Sequence, residues 1–300
     1  MFAATGLAIL ACLLWSTAFV AVKIGLRYAD PFSFAGIRFM LAGLMLVPFW
    51  WKKDHSFNLI RKNIKVILWV SFFQTFVTYG LFYLSMTMVS GALAAIMIGA
   101  SPLTAAVVAH YLVADDALSL PKSISLCIGM AGVVLISVSR LPWASPGGFV
   151  EFTGIVLLLL STLSSALGNV LVAGEQSDFD PVFLNSLQIF LGGFCLCMVS
   201  YFMEDMSVKI LGYPFQYYLA LFWLAFVSAA AFSIWFVLLQ GTQMKVSGLN
   251  LWKFIIPVCG AGLSWLFLPD ESPRLVPVIG MICIAVAIIC YNLSESYRPV

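Results

Sequence analysis

The chain has 300 residues, of which 62% are hydrophobic and only 9% are charged. That charged fraction is about a third of what soluble domains carry, which excludes a water-soluble fold. The formal net charge is +2, and no loop holds a basic surface large enough to follow a phosphate backbone, so a nucleic-acid partner is also excluded.

Ten apolar runs of about twenty residues follow one another, separated by short segments with charged residues, Pro or Gly. A helix of this length crosses a hydrocarbon core of roughly 30 Å. The runs are continuous rather than alternating, so their backbone groups must be paired within helices. The sequence therefore predicts an all-α polytopic membrane protein with transmembrane helices at 5–25, 31–51, 65–87, 91–113, 121–140, 152–174, 181–203, 216–240, 248–268 and 275–293.

The first run, within "MFAATGLAILACLLW", lacks the basic region and small-residue cleavage site of a signal peptide, so we expect a retained first span. The seven cysteines all fall inside predicted spans, in no metal-ligand spacing on a shared loop. We expect reduced, small hydrophobic residues there, with no metal and no cofactor.

The lysines and arginines of the short loops set the orientation, because cytoplasmic loops are enriched in them. The side that holds both termini has eight of them and the opposite side has five, which predicts cytoplasmic termini. The eight are Lys52, Lys53, Arg61, Lys62, Lys65, Lys122, Lys245 and Arg298, and the five are Lys23, Arg27, Arg140, Lys209 and Arg274.

Several phrases occur twice in the chain. Asp30-Pro31 and Asp180-Pro181 each open a span, 150 residues apart, which is half the length of the chain. "VSGALAAIMIGASP" ends at Pro102 and resembles "VSGLNLWKFIIP", which ends at Pro257. Thirteen residues beyond these prolines lie the acidic pairs Asp115-Asp116 and Asp270-Glu271, and "IGM" begins at both 128 and 279.

These repetitions predict two five-helix repeats, over residues 1–145 and 146–300. An odd number of crossings inverts the second copy, and inverted repeats are typical of secondary transporters. Two similar halves that exchange conformations open a central site alternately to the two sides of the membrane. Duplication can also produce an inert scaffold, which remains an alternative.

Three segments carry a resemblance to a known family. They are "LLWSTAFVAVKIGL" (13–26), "GIRFMLAG" (36–43) and "GALAAIMIGASPLTAAVVAHYLVADDAL" (91–118). On these residues the chain resembles the EamA-like, ten-span bacterial exporters of the drug/metabolite transporter superfamily. It departs from their pattern at Asp115-Asp116, where Gly-Glu is usual, and at Trp252 and Lys253, where small residues are expected. The resemblance implies export of amino acids and related metabolites, aromatic ones included, across a bacterial inner membrane.

Polar side chains recur at helical spacing along six of the predicted spans, as expected for helices that line a central pathway. Aromatic residues lie beside them, and a wet cavity walled by rings suits a substrate with an apolar body and a charged end. Small and hydroxyl residues also join helices in membranes, so each row has a purely structural alternative. The predicted substrate-binding residues are Trp15, Ser16, Phe19, Arg38, Gln74, Tyr79, Tyr83, Ser101, Asn169, Gln188, Trp235, Trp252 and Lys253.

Arg38 and Lys253 are the charged members of this set. Arg38 lies seven residues past Pro31, about 10 Å into its span, and Gln188 occupies the equivalent place in the second repeat. Each cation either extends toward the headgroups or faces the bundle interior, where charged residues mark substrate pathways. In the interior, Arg38 would join helices by donating to backbone carbonyls, which we favour, or bind a substrate carboxylate.

The sequence also predicts how transport is driven and where the helices bend. None of the thirteen acidic residues lies deep in a span, so we expect facilitated diffusion or exchange rather than ion coupling, although His110 leaves a proton-coupled mechanism open. Pro102 and Pro257 lie at matching midspan positions and are the predicted hinges. Their alternative is a simple packing kink.

Three other functions compete with a transporter. An intramembrane enzyme needs a nucleophile, base and acid within reach of one another, and the two histidines and the loop carboxylates form no such set. A retinal-type photoreceptor is suggested by "LWKFIIP" but contradicted by ten spans and by the lack of a membrane carboxylate as counter-ion. A channel, or an exporter of cationic drugs, remains the alternative to a carrier of small molecules.

Overall fold

The computed structural model describes residues 2–50, 57–113, 120–138, 146–174, 180–204, 212–241 and 249–296. The acidic pair Asp115-Asp116 lies outside these residues, as does the junction at residues 139–145 where the two predicted repeats meet. Six of the cations used to predict orientation also lie outside them, namely Lys52, Lys53, Arg140, Lys209, Lys245 and Arg298.

Twelve α-helices account for most of the described residues. Their bounds are α1 Phe2–Gly25, α2 Pro31–Trp50, α3 Phe57–Val70, α4 Thr78–Met88, α5 Gly91–Ile98, α6 Ser101–Leu112, α7 Leu120–Val138, α8 Pro146–Gly174, α9 Pro181–Met203, α10 Phe215–Gly241, α11 Ile255–Phe267 and α12 Leu275–Ser296. A π-helical segment, Ser71–Val77, joins α3 to α4, and a 3₁₀ turn, Leu251–Phe254, precedes α11.

The described helices supply a match for every predicted span. Seven helical stretches are long and apolar enough to cross a membrane, and three shorter apolar helices, in α7, α11 and α12, occupy the places of the fifth, ninth and tenth predicted spans. The all-α membrane fold predicted from the sequence is confirmed. The predicted fourth span is not one continuous helix, because it breaks at Gly99 and Ala100 between α5 and α6.

Helices α2 and α9 pack against each other through glycine. A methyl group at Gly43 would lie 2.9 Å from the carbonyl oxygen of Ser186, and one at Gly193 would lie 2.9 Å from that of Gly36. The partner number on α9 falls as the number on α2 rises, so the two helices are antiparallel. The 150-residue shift converts Gly36 into Ser186 and Gly43 into Gly193, so the two contacts are repeat equivalents.

Helices α7 and α12, the last spans of the two repeats, meet in the same way. A methyl group at Gly132 would lie 3.0 Å from the carbonyl oxygen of Gly280, and one at Gly280 would lie 3.1 Å from that of Gly132. Such close backbone approach is how small residues join membrane helices.

The first span of each repeat packs on the third and fourth spans of the other repeat. The first span of the first repeat, α1, packs on α10 and α11, which belong to the third and fourth spans of the second repeat. The first span of the second repeat, α8, packs on α4 and α6, which belong to the third and fourth spans of the first. Two inverted repeats related by a two-fold axis in the membrane plane produce this reciprocal pattern.

Two carboxylates of the second repeat cap helices of the first. Glu204, at the end of α9, accepts from the backbone N–H groups of Phe32 and Ser33 at 2.8 and 2.9 Å. Glu271, beyond the end of α11, accepts from those of Gly91 and Ala92 at 2.6 and 2.8 Å. The first turns of α2 and α5 have no other acceptors for these donors within the helix, and the helix dipole also favours a negative charge there.

Candidate substrate cavity

A cavity lies between the two repeats, with a volume open to the centres of water molecules of about 90 Å³. That volume exceeds the 10–15 Å³ or so that one water requires, so the cavity can hold several waters or a small ligand. Its walls are formed by Trp15, Ala18, Phe19, Arg38, Gln74, Thr78, Tyr79, Phe82, Ile98, Ser101, Ser161, Thr162, Ser165, Val227, Phe232, Lys253 and Ile256.

Both repeats contribute to these walls, since the residues come from α1, α2, the π segment, α4, α5 and α6 on one side and from α8, α10, the 3₁₀ turn and α11 on the other. A site shared in this way is the arrangement expected at the interface of two transporter repeats.

An aromatic wall connects the two cations of the cavity. The ring of Phe232 lies between those of Tyr79 and Trp15, with centroid distances of 6.0 and 5.3 Å. The Arg38 guanidinium lies 5.3 Å from the Tyr79 centroid, and the Lys253 ammonium lies 5.6 Å from the Trp15 ring. Edge-to-face rings at these distances form a continuous apolar surface.

Arg38 is buried, with 3% of its surface exposed, so it does not extend to the headgroups. Its Nη1 donates to the Tyr83 hydroxyl at 2.7 Å and its Nη2 donates to the Ser228 hydroxyl at 3.0 Å, while the guanidinium packs 4.1 Å from the centroid of Phe39. The Ser228 bond connects the repeats. In the structure Arg38 thus joins helices through side-chain hydroxyls and not through the backbone carbonyls that we expected.

Lys253 is buried as well, with 7% of its surface exposed. It lies on the 3₁₀ turn, and its ammonium packs 4.7 Å from the Trp235 ring in addition to its contact with Trp15. Among the described residues the one ion pair is the exposed Arg27–Asp270 pair at 3.9 Å, and no described carboxylate lines the cavity. The cavity therefore carries two positive charges that no described side chain neutralises.

Four residues of the cavity wall hold buried polar atoms with no hydrogen-bond partner among the described residues. They are the Trp15 Nε1–H, the Arg38 Nε–H, the Ser101 hydroxyl and the Gln74 Oε1 atom. Buried polar atoms in proteins are almost always paired, so unpaired atoms lining one cavity indicate groups that a ligand or water can satisfy.

The π segment positions Gln74. A π turn is wider than an α turn and occurs frequently at functional sites. Here the carbonyl of Phe73 accepts from the hydroxyls of Ser164, at 2.8 Å, and Thr78, at 2.6 Å, and Gln74 packs directly against Gly168 of α8. The π turn thus fixes the third span against the first span of the other repeat.

A polar cluster adjoins the cavity around Asn169. Its Oδ1 accepts from Gln74 Nε2 at 3.4 Å and from Trp235 Nε1 at 3.3 Å, and its Nδ2 donates to Asn250 Oδ1 at 3.5 Å. These distances are at the long end for hydrogen bonds, so each bond is weak. The cluster nevertheless joins side chains from four different spans.

Gln188 occupies the place of Arg38 in the second repeat but lies outside the cavity wall. Its Oε1 accepts from the Thr75 hydroxyl at 2.6 Å, and its Nε2 donates to Asn185 at 2.9 Å. The bond to Thr75 joins α9 to the third span of the first repeat, just as the bond from Arg38 to Ser228 joins α2 to the third span of the second. The two equivalent residues therefore make equivalent contacts between the repeats.

Seven of the thirteen predicted residues line the cavity, namely Trp15, Phe19, Arg38, Gln74, Tyr79, Ser101 and Lys253. Tyr83, Asn169 and Trp235 are buried in contact with wall residues, and Gln188 is buried farther away. Ser16 donates to the Cys12 carbonyl within its own helix. Trp252 is half-buried against the core and does not form part of the wall.

The predicted set omits several wall residues. Thr78, Ser161 and Ser165 belong to polar rows that are visible in the sequence, so a wider selection from those rows would have included them. Phe82 and Phe232 carry no such signal, because phenylalanine is frequent on the lipid-facing sides of the same helices.

Both predicted hinges follow an irregular segment. Pro102 lies in the first turn of α6, after the break at Gly99, and Pro257 lies in the first turn of α11, after the 3₁₀ turn. A methyl group at Gly99 would lie 2.9 Å from Pro257 Cβ, so the two irregular places touch. His110, in α6, is half-buried and does not line the cavity.

Comparison with known proteins supports this architecture. The family model described as "EamA-like transporter family" matches the chain twice, over residues 3–138 and 152–293. The chain is 28% identical to the uncharacterized transporter YvbV of Bacillus subtilis (strain 168) over 95% of this chain and 89% of that protein. It is 27% identical to a WAT1-related chloroplastic protein of Arabidopsis thaliana, over 94% of this chain and 67% of that protein.

A solved crystal structure shares the fold, with a TM-score of 0.71 and 16% identity over 98% of this chain and 99% of that one. The two family matches coincide with the two helical repeats that surround the cavity. The chain is therefore a multi-pass membrane protein that belongs to the EamA-like transporter family.

Proposed function

We propose that this transporter exports amino acids and related metabolites, in particular those with an aromatic or apolar side chain, by alternating access through the central cavity. The observation that carries the proposal is the composition of the cavity wall. Its rings, Trp15, Phe19, Tyr79, Phe82 and Phe232, suit an apolar body, and its two cations suit a carboxylate.

The proposed path of movement follows from the repeats. Helices α5 and α11 meet at Gly99 and Pro257, where both spans are irregular. We place the moving joints here, at Pro102 and Pro257, because a helix that begins anew at a proline can change its angle at the break. Exchange of the two conformations between repeats would expose the cavity to one side and then to the other.

The proposed location is a bacterial inner membrane with both termini in the cytoplasm, as the excess of loop lysines and arginines on that side favours. In the absence of a described carboxylate in the cavity wall, we propose movement of substrate down its own gradient or by exchange. Cationic drugs are the less favoured substrates, because Arg38 and Lys253 would repel them.

Counterflow with purified protein tests the proposal. Liposomes that contain the full chain are loaded with unlabelled phenylalanine, and the entry of labelled phenylalanine, leucine and a cationic drug is followed. We expect saturable entry of the amino acids that unlabelled substrate accelerates from the opposite side. Non-saturable entry without such acceleration would instead indicate a channel.

Two aromatic variants, a test and its matched control, show whether transport uses the cavity. Trp15→Ala removes a ring from the wall, whereas Trp69→Ala removes an exposed ring of α3 that lies outside the cavity. A fall in phenylalanine transport relative to leucine transport in the first variant alone supports passage through the cavity.

A further inference from the structure

The charge of the cavity points to the charge of its ligand. Arg38 and Lys253 lie at two ends of one aromatic wall, and no carboxylate faces either of them among the described residues. A buried cation loses much of its hydration, and the aromatic rings beside Arg38 and Lys253 replace only part of that stabilisation, so an opposite charge would add to it. Two such cations in one cavity form a site for negative charge.

The unpaired polar atoms of the wall also favour a negatively charged ligand. Two of the four unpaired polar groups can only donate, the Trp15 Nε1–H and the Arg38 Nε–H, and the Ser101 hydroxyl can donate or accept. The fourth, the Gln74 Oε1 atom, is the one group among these four that can only accept. A ligand rich in acceptors, such as a carboxylate or sulfonate, satisfies more of these groups than a ligand rich in donors.

We infer that the cavity selects organic anions with an aromatic or apolar body, and that it prefers a monocarboxylic acid to the zwitterionic amino acid with the same side chain. This inference rests on the proposed function, because it takes the cavity as the transport site, and it narrows the substrate class.

The ammonium group of an amino acid is the cause of the preference. It would enter a confined space that already holds two positive charges without a described carboxylate beside them. Like charges repel strongly where the dielectric constant is low. The carboxylate alone gains attraction to Arg38 and Lys253 without that repulsion. An amine without a carboxylate suffers the repulsion alone.

Three compounds with the same ring separate these cases. Binding of 3-phenylpropionate, phenylalanine and 2-phenylethylamine to the purified full chain is measured by isothermal titration calorimetry. From the ordinary pKa values of their groups, they carry net charges of about −1, 0 and +1 near neutral pH. We expect 3-phenylpropionate to bind about tenfold or more tightly than phenylalanine, and 2-phenylethylamine to bind least.

Transport is measured with 2-phenylethanesulfonate, because a sulfonate remains ionised and does not cross the bilayer unaided. Its counterflow should exceed that of phenylalanine. In liposomes without internal substrate, entry is net uptake and the anion carries charge inward, so a membrane potential that is positive inside should accelerate its entry and leave the entry of zwitterionic phenylalanine unchanged.

A pair of lysine variants assigns the effect to the cavity. Lys253→Gln removes one cation from the wall and should lower the affinity for 3-phenylpropionate about tenfold or more, with a smaller change for phenylalanine. Lys62→Gln removes an exposed lysine of α3 and should change neither affinity. Arg38→Gln removes the other cation of the wall, and it is the second variant, with the same expected result, if Lys253→Gln does not fold.

Three outcomes of these measurements would contradict what we infer or propose. Tighter binding of phenylalanine or 2-phenylethylamine than of the acid would overturn it while leaving the proposed transport of aromatic metabolites intact. An equal loss of affinity for acid and amino acid in Lys253→Gln would also overturn it. Failure of all three compounds to bind, together with absence of counterflow, would overturn the proposed function itself.

Discussion

The hydroxyl of Ser186 donates to the carbonyl of Gly43 at 2.9 Å, across the contact between the second spans of the two repeats. The repeat equivalent of this contact places Gly193 against Gly36, so the same close approach occurs twice along one pair of antiparallel helices. Interhelical packing through glycine is therefore a property of the repeat unit, and it joins α2 of the first repeat to α9 of the second.

Gly43→Ala should destabilise the protein by about 1–3 kcal/mol, because the added methyl group would lie 2.7 Å from Phe190 Cβ and 2.9 Å from the Ser186 carbonyl oxygen. The midpoint of thermal unfolding in detergent measures the effect. Gly262→Ala is the matched control, since a methyl group there would meet no atom within 4 Å. Equal midpoints for the two variants would show that α2 and α9 do not depend on this contact.

Glu271→Ala should lower the free energy of unfolding by about 1–3 kcal/mol, because it leaves the Gly91 and Ala92 N–H groups at the start of α5 without their acceptor. Asp270→Ala removes the neighbouring carboxylate, whose ion pair with Arg27 is long and exposed and contributes little. Thermal unfolding of both variants should separate them. A larger loss in Asp270→Ala would contradict the capping role of Glu271.

Much of the fold could be predicted because a membrane span imposes its length on the sequence. The repeat was also visible, since Asp30 and Asp180 mark equivalent helix starts 150 residues apart. The π segment could not be predicted, because "SFFQTFV" contains neither proline nor glycine and its sequence is typical of an ordinary α-helix. The break at Gly99 lies directly against Pro257, a partner 158 positions away in the chain that local spacing cannot identify.

The candidate site could be predicted in part. Arg38 and Lys253 are conspicuous in apolar spans, and both line the cavity. The partners of Arg38 were not predictable as a pair, because Tyr83 and Ser228 lie 45 and 190 residues away in the sequence. Aromatic residues were the least certain, since helical spacing alone does not separate a ring that faces the cavity from one that faces lipid.

Tyr83→Phe should destabilise the protein, because the Tyr83 hydroxyl accepts a hydrogen bond from the buried Arg38. The variant keeps the ring but removes the hydroxyl that accepts from Nη1, so a buried guanidinium loses one of its two hydrogen bonds. We expect a loss of about 1–3 kcal/mol in the free energy of unfolding. Tyr201→Phe, at an exposed position of α9, is the control. Unchanged stability in Tyr83→Phe would mean that Arg38 does not need this bond.

Trp15→Ala should change substrate preference, because it shortens the aromatic wall next to Lys253. The ratio of phenylalanine to leucine transport should fall about two- to tenfold, the range of an aromatic contact. Counterflow of the two amino acids in the same liposomes gives this ratio directly. A ratio equal to that of the unaltered protein would contradict the role of the ring in selection.

Chemical labelling can test whether substrate passes through one cavity built by both repeats. Single cysteines are placed at Ser101 in the first repeat and at Ser165 in the second, in a background without the seven natural cysteines. Their reaction rates with a small water-soluble thiosulfonate are compared with that of a cysteine at Thr153, outside the cavity. We expect a transported substrate to slow the reaction at both cavity positions and to leave position 153 unaffected. Unchanged rates at 101 and 165, under conditions in which substrate is transported, would contradict it.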